Sequence, residues 1–483
     1  MRAASMVVAV DLGAESGRVV TAALDGQQVA LEVCHRFPNV PVSVRGTLYW
    51  DILYLWREIQ EGIGGCLSRR PAAIGVDAWG VDFGLLDRAG RLIGNPVHYR
   101  DARTEGMQEI AFSRVPRRAI FESTGIQFMP INTLYQLLSM VEADDPLLPQ
   151  AETFLTIPDL INYWLTGAKV CEFSNATTTQ CYNPRRHGWA GDVLSRLGIP
   201  TRMFPPVVAP GTQLGAYQGV PVIAPACHDT GSAVATVPTA TPHYAYLSSG
   251  TWSLLGLEVP EAVINEQALV ANLTNEGGVA GAFRLLKNIM GLWIIQQCRA
   301  TWAAAGRSYD YHTLDEMARE AVPFGALIDP DDLSFLPPGD MPARIAAFCQ
   351  RTGQTPPDSV SATVRCVLES LALKYRYFLE LLIAVSGQPV DVIHAIGGGS
   401  QNELLCQMTA DATGRPVIAG PVEATALGNA LVQWLALGEI GSLAEARALV
   451  RRSFELKTYE PRNSAAWEEA FERFTALLPE AAD

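Results

Sequence analysis

The chain opens on an apolar run, Val7-Val8-Ala9-Val10, that stops at Asp11. A run this short, closed by a polar residue, predicts a strand buried on both faces. Arg18 to Leu24 predicts a second strand, and Asp25-Gly26 supplies a tight turn onto a third, Gln28 to Val33. The chain therefore begins as a β-meander. Ala73 to Asp77 and Val222 to Ala226 are further short apolar runs that end in polar turns, and Leu134, Leu137, Leu138 and Val141 recur at helical spacing between them. Strands alternating with helices predict an α/β layered fold.

The segment Thr236 to Pro242 holds two prolines among small residues, which disfavour both helix and sheet ladder, and it divides the chain into expected domains 1–240 and 241–483. A second strand pair follows it. Tyr244 to Leu255 can be laid over Val7 to Gly17 so that Gly250 matches Gly13 and Ser253 matches Ser16, a weak internal repeat. Val364, Val367, Leu368, Leu371, Tyr375, Phe378, Leu382 and Val385 mark one long helix, with Gly387 at its C-cap. Val392 to Ile396, Gly397 to Gly399 and the pattern through Leu404, Leu405 and Met408 then read as strand, glycine turn and helix.

At 483 residues the chain exceeds a single hydrophobic core, and 48% hydrophobic with 18% charged residues is a globular profile. The formal charge of −14 argues against nucleic-acid partners and anionic membrane surfaces. It leaves phosphorylated ligands open, because backbone amides or a metal ion supply local positive potential. No signal-peptide pattern or membrane-length apolar run is apparent, and the nine cysteines include no Cys-x-x-Cys pair. A reduced, cytoplasmic setting is expected.

Three glycine turns could serve a nucleotide. Asp11-Leu-Gly-Ala-Glu-Ser-Gly-Arg18 sets a carboxylate at a strand end before two glycines, so that exposed amides could cradle phosphate and Asp11 could hold a hydrated Mg²⁺. An ordinary hairpin fits the same residues. Ser248-Ser-Gly-Thr-Trp-Ser253 repeats the ingredients without the carboxylate, and Gly397 to Gly399 would let an adenine or ribose approach the backbone. Asp229, in Cys227-His-Asp-Thr-Gly-Ser-Ala233, follows an apolar run and precedes a helical start. It could accept a hydroxyl proton during phosphoryl transfer, or simply cap the helix. His228 reads as structural or substrate-contacting, since adjacent side chains rarely point the same way. No Gly-Lys dipeptide occurs, which excludes a Walker A loop, and Asp82-Phe83-Gly84 lacks the companion motifs of protein kinases.

Together, the segments VAVDLGAESGRV, WGVDFGLLD, YRDART, GIQFMPINTLYQL, NATTTQ, CHDTGSAV, AYLSSGTWSLLG, NLTNEGG, LKNIMGLW, IGGGSQN and GPVEATALGN resemble the FGGY carbohydrate kinases over almost the whole chain. The resemblance implies two actin-like (ribonuclease H-like) lobes with ATP and a sugar in the cleft between them. By position it implies phosphate contacts at Ala14, Glu15, Ser16, Gly17, Arg18 and Thr251, with Gln296 and Gly398 on the nucleotide side. It implies sugar contacts at Gly80, His228, Asp229, Thr230 and Asn288, with Asp229 as general base and Mg²⁺ accompanying ATP. Asp82 is a further sugar candidate, its alternative being a solvated turn residue. Glu15 departs from the pattern, standing where some relatives carry a small residue. The sugar-side segments are most similar to members acting on O1 of L-rhamnulose; L-fuculose or xylulose, and an actin-like nucleotide switch acting through partners, are the alternatives weighed. A monomer or small homo-oligomer is expected.

Overall fold

In the computed structural model, which describes residues 5–462 and 465–479, the opening run forms β1, Ser5–Leu12, buried from Val7 onward. Five more strands join it in one sheet: β2 (Ser16–Leu24), β3 (Val29–Pro38), β4 (Ile74–Ala78), β5 (Gln213–Tyr217) and β6 (Val220–Ile223), in the order β5-β6-β4-β1-β2-β3. β1 pairs antiparallel with β2 and parallel with β4, as the meander and the later crossover require. β6 ends at Ile223, short of the apolar run that continues to Ala226.

Helices cover this sheet. Ile52–Leu67 packs on β2 and β3, its Asp51 cap accepting the Tyr54 N–H at 3.1 Å and its buried face carrying Ile52, Leu55, Ile59 and Ile63. The expected middle helix is Thr133–Glu142. Ala424–Ala436 packs on β1, β4 and the short helix Asp229–Ala235. That last contact is backbone to backbone: a Cβ at Gly428 would stand 1.7 Å from the Ser232 carbonyl oxygen, so only glycine fits.

The remaining large sheet repeats the first. Strands β7 (Tyr244–Ser249), β8 (Trp252–Val259), β9 (Phe283–Met290), β10 (Val392–Ile396), β11 (Val417–Ala419) and β12 (Lys457–Tyr459) run in the order β12-β11-β10-β7-β8-β9, and the short strand Thr274–Gly277 adds a seventh beyond β9. Each opening hairpin is antiparallel, and its first strand continues into a parallel pair, β1 with β4 and β7 with β10. The overlay of Gly250 on Gly13 thus has a counterpart in strand order. The long helix spans Val360–Ser386, with Gly387 in the left-handed conformation at its end, and Gly398–Gln401 forms a 3₁₀ turn before the helix Glu403–Thr413.

The chain folds into two compact units, and a single cut at residue 240 does not separate them. One unit takes the chain up to Ala240 together with Glu258–Leu285 and Glu423–Ser453; the other takes Thr241–Leu257, Leu286–Val422 and the chain from Phe454 onward. The division at 240/241 is only the first crossing, because Ala424–Ala436 returns to bury the apolar face of β1 and β4. Among the described residues, no helix is long and apolar enough to cross a membrane.

Candidate active site

In the first unit, β1 and β2 are joined by Gly13, Ala14 and Glu15, and the turn is pinned from both sides. The Gly13 N–H donates to Ser16 O at 3.0 Å, while Asn39 donates its side chain to Gly13 O and its backbone N–H to Glu15 O, each at 2.9 Å. Glu15 is exposed, and Gly17 is enclosed, where a Cβ would stand 2.3 Å from the Phe37 ring. Arg18 returns to the strand end: Nε and Nη2 donate to Asp11 Oδ2 at 2.9 and 2.7 Å, and Nη1 pairs with Glu423. Burial opposes the Arg18 charge, but Asp11, Glu423 and Asp77 outweigh it and raise its pKa.

Asp77 is a site residue that the sequence pattern alone does not single out. It stands opposite Asp11 in the register of β1 and β4 and is wholly buried. Its Oδ2 accepts from Asn429 at 2.6 Å, and Gln433 holds Asn429 Oδ1 at 2.7 Å and Val8 O at 3.0 Å. Its Oδ1 has no hydrogen-bond partner among the described residues. Burial and then the Asp11 charge push its carboxyl well above the usual range, with Asp229 adding to the shift and Asn429 opposing it. The sign visible in the sequence was a second aspartate in a buried apolar strand.

Asp229 lies beyond the neighbouring strand end. The Ala78 N–H donates to Cys227 O at 2.9 Å and Ala78 bridges to His228, which carries the chain from the sheet into Asp229–Ala235. The buried Glu172 anchors that passage by accepting from Cys227 N at 2.9 Å and from the Ser174 hydroxyl, whose oxygen accepts from His228 N at 3.0 Å. The cap position belongs to His228 and no side chain caps the helix, so Asp229 is not the N-cap. Asp229 Oδ1 accepts from Thr230 N at 2.5 Å and Thr230 Oγ1 at 3.1 Å, and lies 3.3 Å from His228 Nε2. No donor reaches Oδ2 among the described residues, and the side chain is 28% exposed. Burial, with Asp11 adding and His228 and Thr230 opposing, lifts the carboxyl above the ordinary aspartate value. His228 and Asp229 thus face each other, against the expectation that adjacent side chains diverge.

The loop after β4 is strained at Val81, a β-branched residue with φ 68°. Thr178 accepts the Val81 N–H at 3.1 Å, and Thr133 and Gln136 donate to Val81 O at 2.5 and 3.3 Å. Gly80 fits against Thr178, whose Oγ1 would lie 2.9 Å from a Cβ there. Asp82 does not present its carboxylate to a ligand. It is fully buried and accepts from Trp50 Nε1 at 2.6 Å, Trp79 Nε1 at 3.0 Å, Gln136 Nε2 at 3.0 Å and Tyr99 N at 3.3 Å. Burial raises its carboxyl to about 6 against those bonds. Asp82 therefore braces the loop, which corrects both readings of it, as sugar contact and as solvated turn residue.

In the second unit, the turn between β7 and β8 receives a helix start. Leu292 N donates to Gly250 O at 3.0 Å and Trp293 N to Thr251 O at 3.1 Å, which places Gln296 Nε2 3.3 Å from Thr251 Oγ1. Gln296 Oε1 is buried without a hydrogen-bond partner among the described residues. Gly399 packs on Ser249, whose Oγ would be 2.2 Å from a Cβ, while a Cβ at the exposed Gly398 would meet nothing within 4 Å. Thr251, Gln296 and Gly398 thus flank one turn of this unit. Asn288 lies half-buried on β9 of the same unit, apart in the chain from the other sugar candidates.

The N-terminal domain profile of the FGGY family of carbohydrate kinases matches residues 6–231, and the C-terminal domain profile matches 245–437. The rhamnulokinase of Bacteroides thetaiotaomicron is 44% identical over 478 residues, covering 96% of this chain and 98% of that protein. The rhamnulokinase of Pectobacterium atrosepticum is 42% identical over 481 residues, covering 98% of this chain and 96% of that protein. In fold, the chain is similar to ligand-bound xylulose kinase from Lactobacillus acidophilus, with a TM-score of 0.81 at 18% identity over 98% of this chain and 97% of that one. Plasmodium falciparum glycerol kinase with ADP gives a TM-score of 0.76 at 16% identity over 98% of this chain and 97% of that one. With both domain profiles matched and relatives aligned along nearly its whole length, the chain belongs to the FGGY family of carbohydrate kinases.

Proposed function

We propose that the chain transfers the γ-phosphoryl group of ATP to O1 of L-rhamnulose, giving L-rhamnulose 1-phosphate and ADP in the breakdown of L-rhamnose. The sugar is supported by the rhamnulokinase relatives at 44% and 42% identity. The chemistry is carried by Asp229, whose Oδ1 is held by Thr230 while Oδ2 is left open. Oδ2 takes the proton of the O1 hydroxyl as the bond from O1 to the γ-phosphorus forms and the bond from that phosphorus to the β,γ-bridging oxygen breaks. The bridging oxygen keeps the electron pair and leaves with ADP. A positioned base of this kind contributes roughly 10²–10⁴-fold.

Gly80, His228, Thr230 and Asn288 are the proposed sugar contacts. Ala14 to Arg18 and Thr251 are the proposed phosphate contacts, and Gln296, with its buried unpartnered oxygen, and Gly398, with open space at its α-carbon, are the proposed nucleotide contacts. In chain order, residues 1–240 would carry the base, the first hairpin and most sugar contacts, and 241–483 the second hairpin and the adenosine contacts. A Mg²⁺ arriving with ATP suits the hard carboxylate oxygens of Asp11 and Asp77, including the unpartnered Asp77 Oδ1. Bound there, it would offset phosphate charge. Free thiols at all nine cysteines and the use of ATP support a cytoplasmic setting.

ADP release over L-rhamnulose, L-fuculose and D-xylulose tests the reading. L-rhamnulose should stimulate most strongly, with the product phosphorylated at O1. Turnover indifferent to any sugar would overturn it in favour of a nucleotide switch.

A further inference from the structure

Behind His228 lies a buried pair that the phosphoryl-transfer reading does not use. Glu276 sits on the short strand Thr274–Gly277 and Arg284 at the start of β9, facing each other across a tight turn in which Gly278 N donates to Ala282 O at 2.8 Å. Arg284 is fully buried; its Nε donates to Gly277 O at 2.8 Å, and its Nη2 lies 3.2 Å from Glu276 Oε2 and 3.0 Å from His228 Nδ1. Glu276 Oε2 is itself 3.3 Å from that ring nitrogen. A buried ion pair is a poor source of stability, since desolvation offsets its attraction. Its placement against a ring that touches Asp229 points to a different purpose.

A guanidinium has only donors, so its 3.0 Å contact is a hydrogen bond only if the ring nitrogen offers a lone pair, whereas an Nδ1 proton would have to turn past it to Glu276 Oε2 at the longer 3.3 Å. With Nδ1 bare, the one remaining proton of a neutral imidazole is on Nε2, 3.3 Å from Asp229 Oδ1. The opposite tautomer would set an Arg284 N–H against an Nδ1–H and leave two lone pairs facing each other between the ring and Asp229. We infer that Arg284, braced by Glu276, is a positioning residue that holds His228 as the Nε2–H tautomer. The ring then donates to Asp229 Oδ1 and keeps Oδ2 as the proton-accepting atom. This rests on Asp229 being the base, whereas the tautomer itself is read independently of turnover.

The test is ¹⁵N NMR of the full chain labelled at its seven histidines, with the His228 signals assigned by their loss in His228→Gln. The expected wild-type spectrum has an unprotonated Nδ1 and a proton coupled to Nε2; a proton on Nδ1 would overturn the inference. In Arg284→Met the proton should move onto Nδ1, and sugar-dependent kcat should fall, by up to about 10²-fold as the base loses its positioning. KM for ATP should stay within about two-fold of wild type. Arg284→Lys, which keeps a donor, should recover both the ring signal and part of kcat. Unchanged ring and turnover in Arg284→Met, or no recovery in Arg284→Lys, would remove the role, and if Arg284→Met does not fold the wild-type spectrum still decides. Full turnover in Asp229→Asn would instead sink the base assignment and leave the tautomer standing.

Discussion

Thr230 donates both its backbone N–H and its hydroxyl to one oxygen of Asp229, at 2.5 and 3.1 Å, so that the two carboxylate oxygens differ in what they can do. The held oxygen sets orientation and the open one is free to take a proton. Asp229→Asn keeps the shape and removes the basicity. ATP binding, measured by calorimetry, should persist while sugar-dependent turnover falls about 10²–10⁴-fold. Near-normal turnover would remove Asp229 from the mechanism.

The same carboxyl has a raised pKa, from burial and then from the Asp11 charge, with His228 pulling the other way. A base works ionised, so activity should decline as pH falls through the folded-state value. That acid limb of kcat should lie above the ordinary aspartate value of about 3.9. Asp11→Asn removes one of the raising charges, so in the activity that remains the limb should shift toward lower pH. A limb at the ordinary position, unmoved by Asp11→Asn, would contradict this electrostatic account.

Gly428 and Ser232 make a sharper mechanical test. A Cβ at 428 would stand 1.7 Å from the Ser232 carbonyl oxygen, which lies in the helix that begins with Asp229. Gly428→Ala must force Ala424–Ala436 and Asp229–Ala235 apart, with an expected loss of about 1–3 kcal/mol or more by thermal unfolding and lowered turnover. Gly64, exposed in the helix Ile52–Leu67, has nothing within 4 Å of its would-be Cβ. Gly64→Ala should therefore gain roughly 0.5–1 kcal/mol.

What could be read from the chain alone was local. The meander, the long helix ending at Gly387 and the two glycine hairpins follow from spacing within a few turns or strands, and the structure forms each of them. Asp229 was conspicuous because its neighbours in sequence are also its neighbours in space. Asp77 is not legible in the chain because its partner Asn429 is 352 positions away, nor is Arg284, which meets His228 across 56. The burial of Asp82 is hidden from the sequence for the same reason: Trp50, Trp79, Tyr99 and Gln136 converge on its carboxylate from separate segments and occupy it. A linker rich in proline marked one crossing between units, but no composition change marks the return of Ala424–Ala436 to the first.

Asp159 lies under the Glu172 anchor, wholly enclosed, its oxygens accepting from the Thr156 hydroxyl at 2.5 Å and from Glu172 N at 3.1 Å. Burial, with the Glu172 charge adding, pushes its carboxyl up to about 8 despite those bonds. In the unfolded chain the same group titrates near 3.9, so between the two values the folded state holds a proton that the unfolded state has released. Its contribution to stability is complete below the lower value and is lost progressively as pH rises through the higher one. Asparagine has the same shape and no proton to lose, and the Thr156 hydroxyl can turn to accept from the new amide. Raising pH from about 5 to about 8 should therefore lower the wild-type Tm by more than it lowers that of Asp159→Asn. Parallel melting curves for the two proteins across that window would show that Asp159 is already ionised in the fold.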